Sequence, residues 1–322
     1  MMNVSSNPWS EVMGNAPVEE LPSHGYVITK TVTGSETPAD YTFVFTRDEV
    51  YVPIAVRQPK GNGPFPVITM GWAEGREGMR KIEALTDSLA GMQDRMIERG
   101  YVVVTVNYRN EIPHLYQKRR GPAHNLPDNV SGDRRTLKSQ PTLDHEDLIA
   151  VVKYLKTLPY VDQEAIGTMG VSHSGEMILK AAEEYDFAAR VCIEPAAHEF
   201  LQVNTGARAP RKNTEIQYND IEVVRKNADQ EKAMQRIERI HTPILIFGRE
   251  KDHLQGIFKL TYEWMRQAGK DVSWENFDHP VHGYVFVFRQ PDGSYKPDPI
   301  QQETFEIAMA YFDKHLKSSR QP

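Results

Sequence analysis

The sequence predicts an α/β fold: a mostly parallel central sheet with helices on both faces and an antiparallel start. Three observations predict it. Short apolar, β-branched runs such as Tyr101–Val106 have the composition of strands buried on both faces. Amphipathic stretches of helical period alternate with them. Two N-terminal segments, Tyr41–Phe45 and Val50–Val56, instead alternate apolar with polar residues, as half-buried antiparallel strands do.

Taken in order, residues 1–40 form an N-terminal extension, and residues 41–318 form a single domain. After the antiparallel pair, Pro59, Gly61, Gly63 and Pro64 mark a turn-rich connection. Phe65–Met70 is a strand, Ile82–Arg99 a helix ended by Gly100, and Tyr101–Val106 a strand. Thr142–Leu158 carries Leu148, Val151, Val152, Leu155 and Leu158 on one helical stripe. Ala165–Val171 is then a strand, Gly175–Tyr185 a helix, and Val191–Ile193 and Pro243–Phe247 are strands. Leu254–Ala268 is a helix with Ile257, Leu260, Trp264 and Met265 inward, Val272–Phe277 a strand, and Ile300–Leu316 the closing helix. Two long loop excursions, near 109–140 and 198–235, interrupt this rhythm.

Composition narrows the function classes. Of 322 residues, 39% are apolar and 25% charged, which supports a packed core and excludes wholesale disorder. A formal net charge of −6 disfavours nucleic-acid binding, which needs cations to neutralise phosphates. The single cysteine, Cys192, excludes an intramolecular disulfide and a multi-cysteine metal site. No run reaches the ~18 apolar residues of a spanning helix, and the first 25 residues lack a signal-peptide core. The expected location is cytoplasmic, unless a leader has been removed, with no membrane partner.

The chemistry-bearing motif is Ile166-Gly-Thr-Met-Gly-Val-Ser-His-Ser-Gly-Glu176, in which a strand runs through Gly170-x-Ser172-x-Ser174 into a helix. A nucleophile on such a strained turn requires small residues two positions away on each side, so that strand and helix can approach. Ser172 meets this. Ser174 as nucleophile would place Glu176 in a small position, and that register is rejected. A serine hydroxyl needs a general base, and the base needs an orienting acid. Asp252 follows the strand ending at Phe247 and is the preferred acid, with Glu250 and Glu194 as competitors. His282, followed by Gly283, is the preferred base, and His279 the alternative. The His279-x-x-His282 spacing lacks the accompanying ligands of a metal site. Oxyanion donors are expected from the N–H of His173 and from Trp72 or Ala73. Tyr108, Tyr116 and Glu194 are candidate pocket residues. Lys118, Arg119, Arg120, Arg208, Arg211 and Lys212 place basic charge in the two excursions. Phe286, Phe288 and Tyr295 flank Pro291-Asp-Gly293, which reads as a hairpin, either a rim of the site or a homodimer edge.

From Pro64 to Leu316 the sequence resembles the dienelactone hydrolase and prolyl-oligopeptidase branch of the α/β-hydrolase superfamily. The resemblance rests on GPFPVITM, GYVVVTVNYR, HEDLIAVVKYLKTLPYVD, AIGTMGVSHSGE, HTPILIFGREKDHL and HPVHGY, in that order. It implies Ser172 as nucleophile, Asp252 as acid, His282 as base, and no metal or organic cofactor. The expected activity is hydrolysis of a small-molecule carboxylic ester through an acyl-enzyme. A peptidase or amidase using the same triad is the alternative, and a non-catalytic binding protein of the same fold the second. The residues before the core are too few for the propeller of the oligopeptidases. Dienelactone hydrolases proper tend to use a cysteine nucleophile; Cys192 here lies on a buried strand and reads as an inert core thiol.

Overall fold

The computed structural model describes residues 24–46, 51–72, 78–108, 144–203 and 218–317. Among them is one sheet of nine strands: β1 (Ile28–Lys30), β2 (Ala39–Phe45), β3 (Tyr51–Arg57), β4 (Phe65–Gly71), β5 (Val102–Val106), β6 (Val161–Val171), β7 (Ala189–Ile193), β8 (Ile244–Arg249) and β9 (Val272–Phe277). Their spatial order is β1-β2-β3-β5-β4-β6-β7-β8-β9. The pairs β1/β2, β2/β3 and β3/β5 are antiparallel, and every pair from β5/β4 to β8/β9 is parallel. This is the mostly parallel arrangement expected from the alternation, with the antiparallel start in place.

The helices are α1 (Met79–Glu98), α2 (Asp144–Leu155), α3 (His173–Ala181), α4 (Ile221–Asn227), α5 (Gln230–Glu238), α6 (Gln255–Gln267) and α7 (Pro299–Leu316). Alternation along the strands divides the core between the two faces of the sheet. Val104, Ile166, Cys192 and Ile246 point to the face covered by α2, α3 and α6, through Leu148, Val152, Met177, Ile178, Leu260 and Trp264. Val103, Met169, Val191 and Leu245 point to the other face, covered by α1 and α7 through Leu89, Met92, Phe305 and Phe312. Burying each of these large apolar side chains contributes roughly 1.5–3 kcal/mol.

Two expectations change. The stretch 198–235 is not a loop throughout: α4 and most of α5 lie in its second half. Both are short and bury few apolar residues, Val224 in one and Ala233 and Ile237 in the other, so their periodicity is faint. Their caps were the readable signal, since Asp220 accepts from the N–H groups of Glu222 and Val223, and Asp229 from that of Lys232. Around Pro291 the backbone turns, with Gln290 N–H donating to Ser294 O at 2.8 Å, but no strands flank it. Phe286 is buried there instead. The excursion 109–140 lies outside the described residues. No helix among the described residues is long and apolar enough to cross a membrane.

Candidate active site

The parallel strands deliver three chemistry-bearing residues to one edge of the sheet. Ser172 follows β6, Glu194 follows β7, and Asp252 lies just beyond β8. The sheet continues past the strand ends: Ser172 N–H donates to Ile193 O at 2.8 Å and Glu194 N–H to Phe247 O at 2.7 Å. The three ends therefore lie side by side.

Ser172 has φ 57° and ψ −115°, a left-handed φ unusual for a residue with a side chain, and α3 starts immediately after it. This is the geometry expected of the elbow. The tight crossing depends on small residues. Ser174 is fully buried, and its Oγ fills the space that a Cβ on Gly71 or Gly170 would need. That Oγ lies 2.9 Å from the Tyr108 hydroxyl. Glu176, also buried, accepts from the N–H groups of Glu199 and Phe200 at 2.6 and 2.9 Å, and burial pushes its carboxyl up to about 7. A residue with this anchoring role could not fill a small elbow position.

His282 approaches from the loop after β9. Gly283 has φ 70°, and a Cβ there would strike Val171 and the Trp72 ring. The turn therefore requires glycine, and it lays the His282 loop against the residue preceding Ser172. Trp72 is held by Phe286 and Phe288, with ring centroids 5.8 and 4.6 Å away. The aromatic residues beyond His282 thus buttress the site.

Two carboxylates face the imidazole. His282 Nδ1 lies 2.5 Å from Glu194 Oε2 and 3.7 Å from Asp252 Oδ2. These are ion-pair contacts without hydrogen-bond alignment at Nδ1. Both carboxylate side chains are fully buried. Between them is Arg249, whose Nε donates to Glu194 Oε2 at 3.2 Å and whose Nη2 donates to Asp252 Oδ2. Glu194 Oε1 also accepts from Gly283 N–H at 2.8 Å, and Asp252 Oδ1 from Leu254 N–H at 2.7 Å. Burial alone would lower the basicity of His282, but Asp252 and Glu194 outweigh it and hold the ring up at about 9. Burial also opposes ionisation of Asp252, yet contacts from His282, Leu254 N–H, Arg249 and His253 keep its carboxyl below the usual range.

Glu194, Asp252 and His282 offer donor atoms within 4.8 Å of one another, a spacing that could hold a metal ion. The guanidinium of Arg249 already lies against both carboxylates, so a cation is built into the cluster.

The remaining sequence-predicted residues are placed as follows. His173 opens α3, with its N–H at the helix N-terminus, and its Nε2 lies 2.7 Å from Asp144 Oδ2. Trp72 stands just after β4; Ala73 and Tyr116 lie outside the described residues, as do the basic residues named in the excursions. Tyr108 is buried against Ser174, and Glu194 is buried against His282, rather than lining an open pocket wall. Glu250 is exposed and faces Asn276 at 3.4 Å. His279 pairs with Asp298, the N-cap of α7, at 2.8 Å and stacks on Tyr284, a structural position. Burial pushes the Cys192 thiol up to about 12, consistent with an inert core thiol. Arg249 went unread in the sequence. The signal for it was a charged residue closing an otherwise apolar strand just before the acid candidate.

A family model described as the dienelactone hydrolase family matches residues 78–316, the greater part of the chain. The chain belongs to the dienelactone hydrolase family. No curated protein matches significantly. Among solved structures, an acylaminoacyl peptidase from Pyrococcus horikoshii superposes with a TM-score of 0.55 at 18% identity, over 89% of this chain and 43% of its own. The chain thus spans less than half of that peptidase. A thermophilic esterase from Thermogutta terrifontis gives 0.53 at 17% identity, covering 88% and 95% of the two chains. Acetyl xylan esterase 1 from Thermoanaerobacterium gives 0.52 at 15%, covering 91% and 88%. These likenesses establish the α/β-hydrolase fold.

Proposed function

We propose that the protein is a serine hydrolase of carboxylic esters working through an acyl-enzyme. One observation carries this: Ser172 sits on a strained strand-to-helix turn at the same sheet edge as a histidine held by buried carboxylates. In the first step His282 takes the Ser172 proton as Oγ attacks the ester carbonyl. The C–O bond to the alcohol then breaks, and His282 returns the proton to the departing alkoxide. Water repeats the cycle with His282 as base, releasing the acid and restoring Ser172. The N–H of His173 and a donor at Trp72 or Ala73 would receive the oxyanion. The chain is expected to cleave aryl esters and leave aminoacyl amides essentially intact, with a fluorophosphonate probe modifying Ser172. The reverse preference would favour the peptidase reading, and failure of the probe to react would remove the serine mechanism.

The pH profile gives a second check. A general base acts only when neutral, so kcat/KM should rise about tenfold per pH unit up to about 9, then level off. Stability should move the opposite way. A histidine with a raised folded pKa stabilises fully below its unfolded value of about 6.5, and that contribution is lost as pH rises through the folded value. A kcat/KM plateau already reached at pH 7 would contradict the carboxylate-charged histidine.

A further inference from the structure

We infer that Glu194 is the residue that positions His282 and faces its charge, while Asp252, the acid expected from motif order, acts one step back through Arg249. The inference rests on the serine-hydrolase reading but concerns only which carboxylate serves the base.

Four observations point the same way. Distance is the first: Glu194 Oε2 is the nearer oxygen, at 2.5 Å against 3.7 Å for Asp252. The second is how each carboxylate is already engaged. Asp252 Oδ2 takes the closest guanidinium contact, Oδ1 accepts Leu254 N–H, and His253 Nδ1 lies 3.2 Å from it. Glu194 meets Arg249 only through Nε, at 3.2 Å. One guanidinium offsets one of two negative charges, and geometry places that offset on Asp252. The charge left facing the imidazole is therefore that of Glu194.

The third observation is the strap. Glu194 Oε1 accepts the N–H of Gly283, next in sequence to His282. A single carboxylate thus fixes both the ring and the turn that carries it. Among the described residues Asp252 makes no hydrogen bond to the His282 loop backbone; Arg249 makes one in its place, to His279 O at 3.4 Å. The fourth is backbone strain. Glu194 has φ 46°, and with Ser172 it is one of four non-glycine residues of positive φ among those described. A left-handed residue at a buried strand end, aimed at the base, is held by its surroundings at some cost, and such strain gathers at functional positions. The other charged or titratable groups near the cluster are Tyr284, whose hydroxyl donates to Gly248 O, and Glu275, which acts on Tyr284.

The experiment compares Glu194→Gln with Asp252→Asn. Each keeps its side chain's shape and removes the charge. Two readouts are taken in the full chain: kcat on an aryl ester, and the His282 titration midpoint by NMR. The midpoint needs no turnover, so it reports on Glu194 even if the serine mechanism fails, and fluorophosphonate labelling of wild type tests that mechanism separately. Glu194→Gln should lower kcat about 10³- to 10⁴-fold and move the His282 midpoint down by more than one pH unit. Asp252→Asn should lower kcat by no more than about tenfold and move the midpoint less. If Glu194→Gln does not fold, Asp252→Asn alone decides: near-tenfold loss supports the assignment, and loss beyond 10³-fold overturns it. An equal or larger midpoint shift in Asp252→Asn also overturns it.

Discussion

Ser172→Ala should lower ester turnover by roughly 10⁴- to 10⁶-fold while leaving the fold intact. The size of the loss follows from how the parts depend on one another. In the proposed mechanism His282 has catalytic value only as the acceptor of the Ser172 proton, so deleting the hydroxyl idles the base and its carboxylates together. What remains is positioning and any oxyanion stabilisation from the start of α3. The melting temperature should change little, because alanine removes one hydroxyl and the backbone bonds hold the turn: Ser172 N–H to Ile193 O, and Ser172 O to the N–H groups of Glu176 and Ala196. The left-handed φ of 57° is as strained for alanine as for serine. Loss of turnover below tenfold, with unchanged probe labelling, would assign the nucleophile elsewhere. Ser174, two positions on in the sequence, also carries a hydroxyl, but it is buried against Tyr108.

Much of this architecture was legible because two periods dominate the chain. Buried runs such as Val102–Val106 have no polar residue but Thr105, and the stripe Leu148, Val151, Val152, Leu155 fits only a helix. The elbow was legible for a steric reason: the crossing tolerates only Gly170 and Ser174 around Ser172. His282 was marked by Gly283, whose left-handed turn no residue with a Cβ could make against Trp72 and Val171. Ranking the carboxylates was not legible. Glu194 and Asp252 lie 58 positions apart and meet only because β7 and β8 pair in register, Cys192 opposite Ile246. Motif order favours the later acid, but the sheet brings the earlier one within 2.5 Å of the imidazole. Charge partition between them depends on the reach of one arginine fork, which spacing does not encode.

That fork makes the largest stability prediction. Arg249→Met should destabilise the protein by about 3–5 kcal/mol near pH 8, because it leaves two fully buried carboxylates with only the imidazole of His282 between them. The sign with pH follows from linkage. In the wild type Asp252 has a lowered pKa, so its stabilising contribution is present above the unfolded value of about 3.9 and is lost as pH falls through the folded value. Without Arg249, at least one carboxylate is raised above its unfolded value, and its penalty appears above about pH 4 and grows until that raised value is passed. The stability gap between wild type and variant should therefore be present already at pH 4.5, where the Asp252 contribution is weakened, and widen toward pH 8, as urea unfolding at the two pH values would show. Activity should shift in the same direction. A second uncompensated negative charge beside His282 raises the ring further, moving the rise and plateau of kcat/KM to higher pH. Arg249→Lys should recover only part of both effects, since one ammonium cannot reach Glu194, Asp252 and the His279 carbonyl together as the guanidinium does. A gap that stays constant from pH 4.5 to 8 would mean that Arg249 contributes through packing alone, and the division of charge between Glu194 and Asp252 would lose its physical basis.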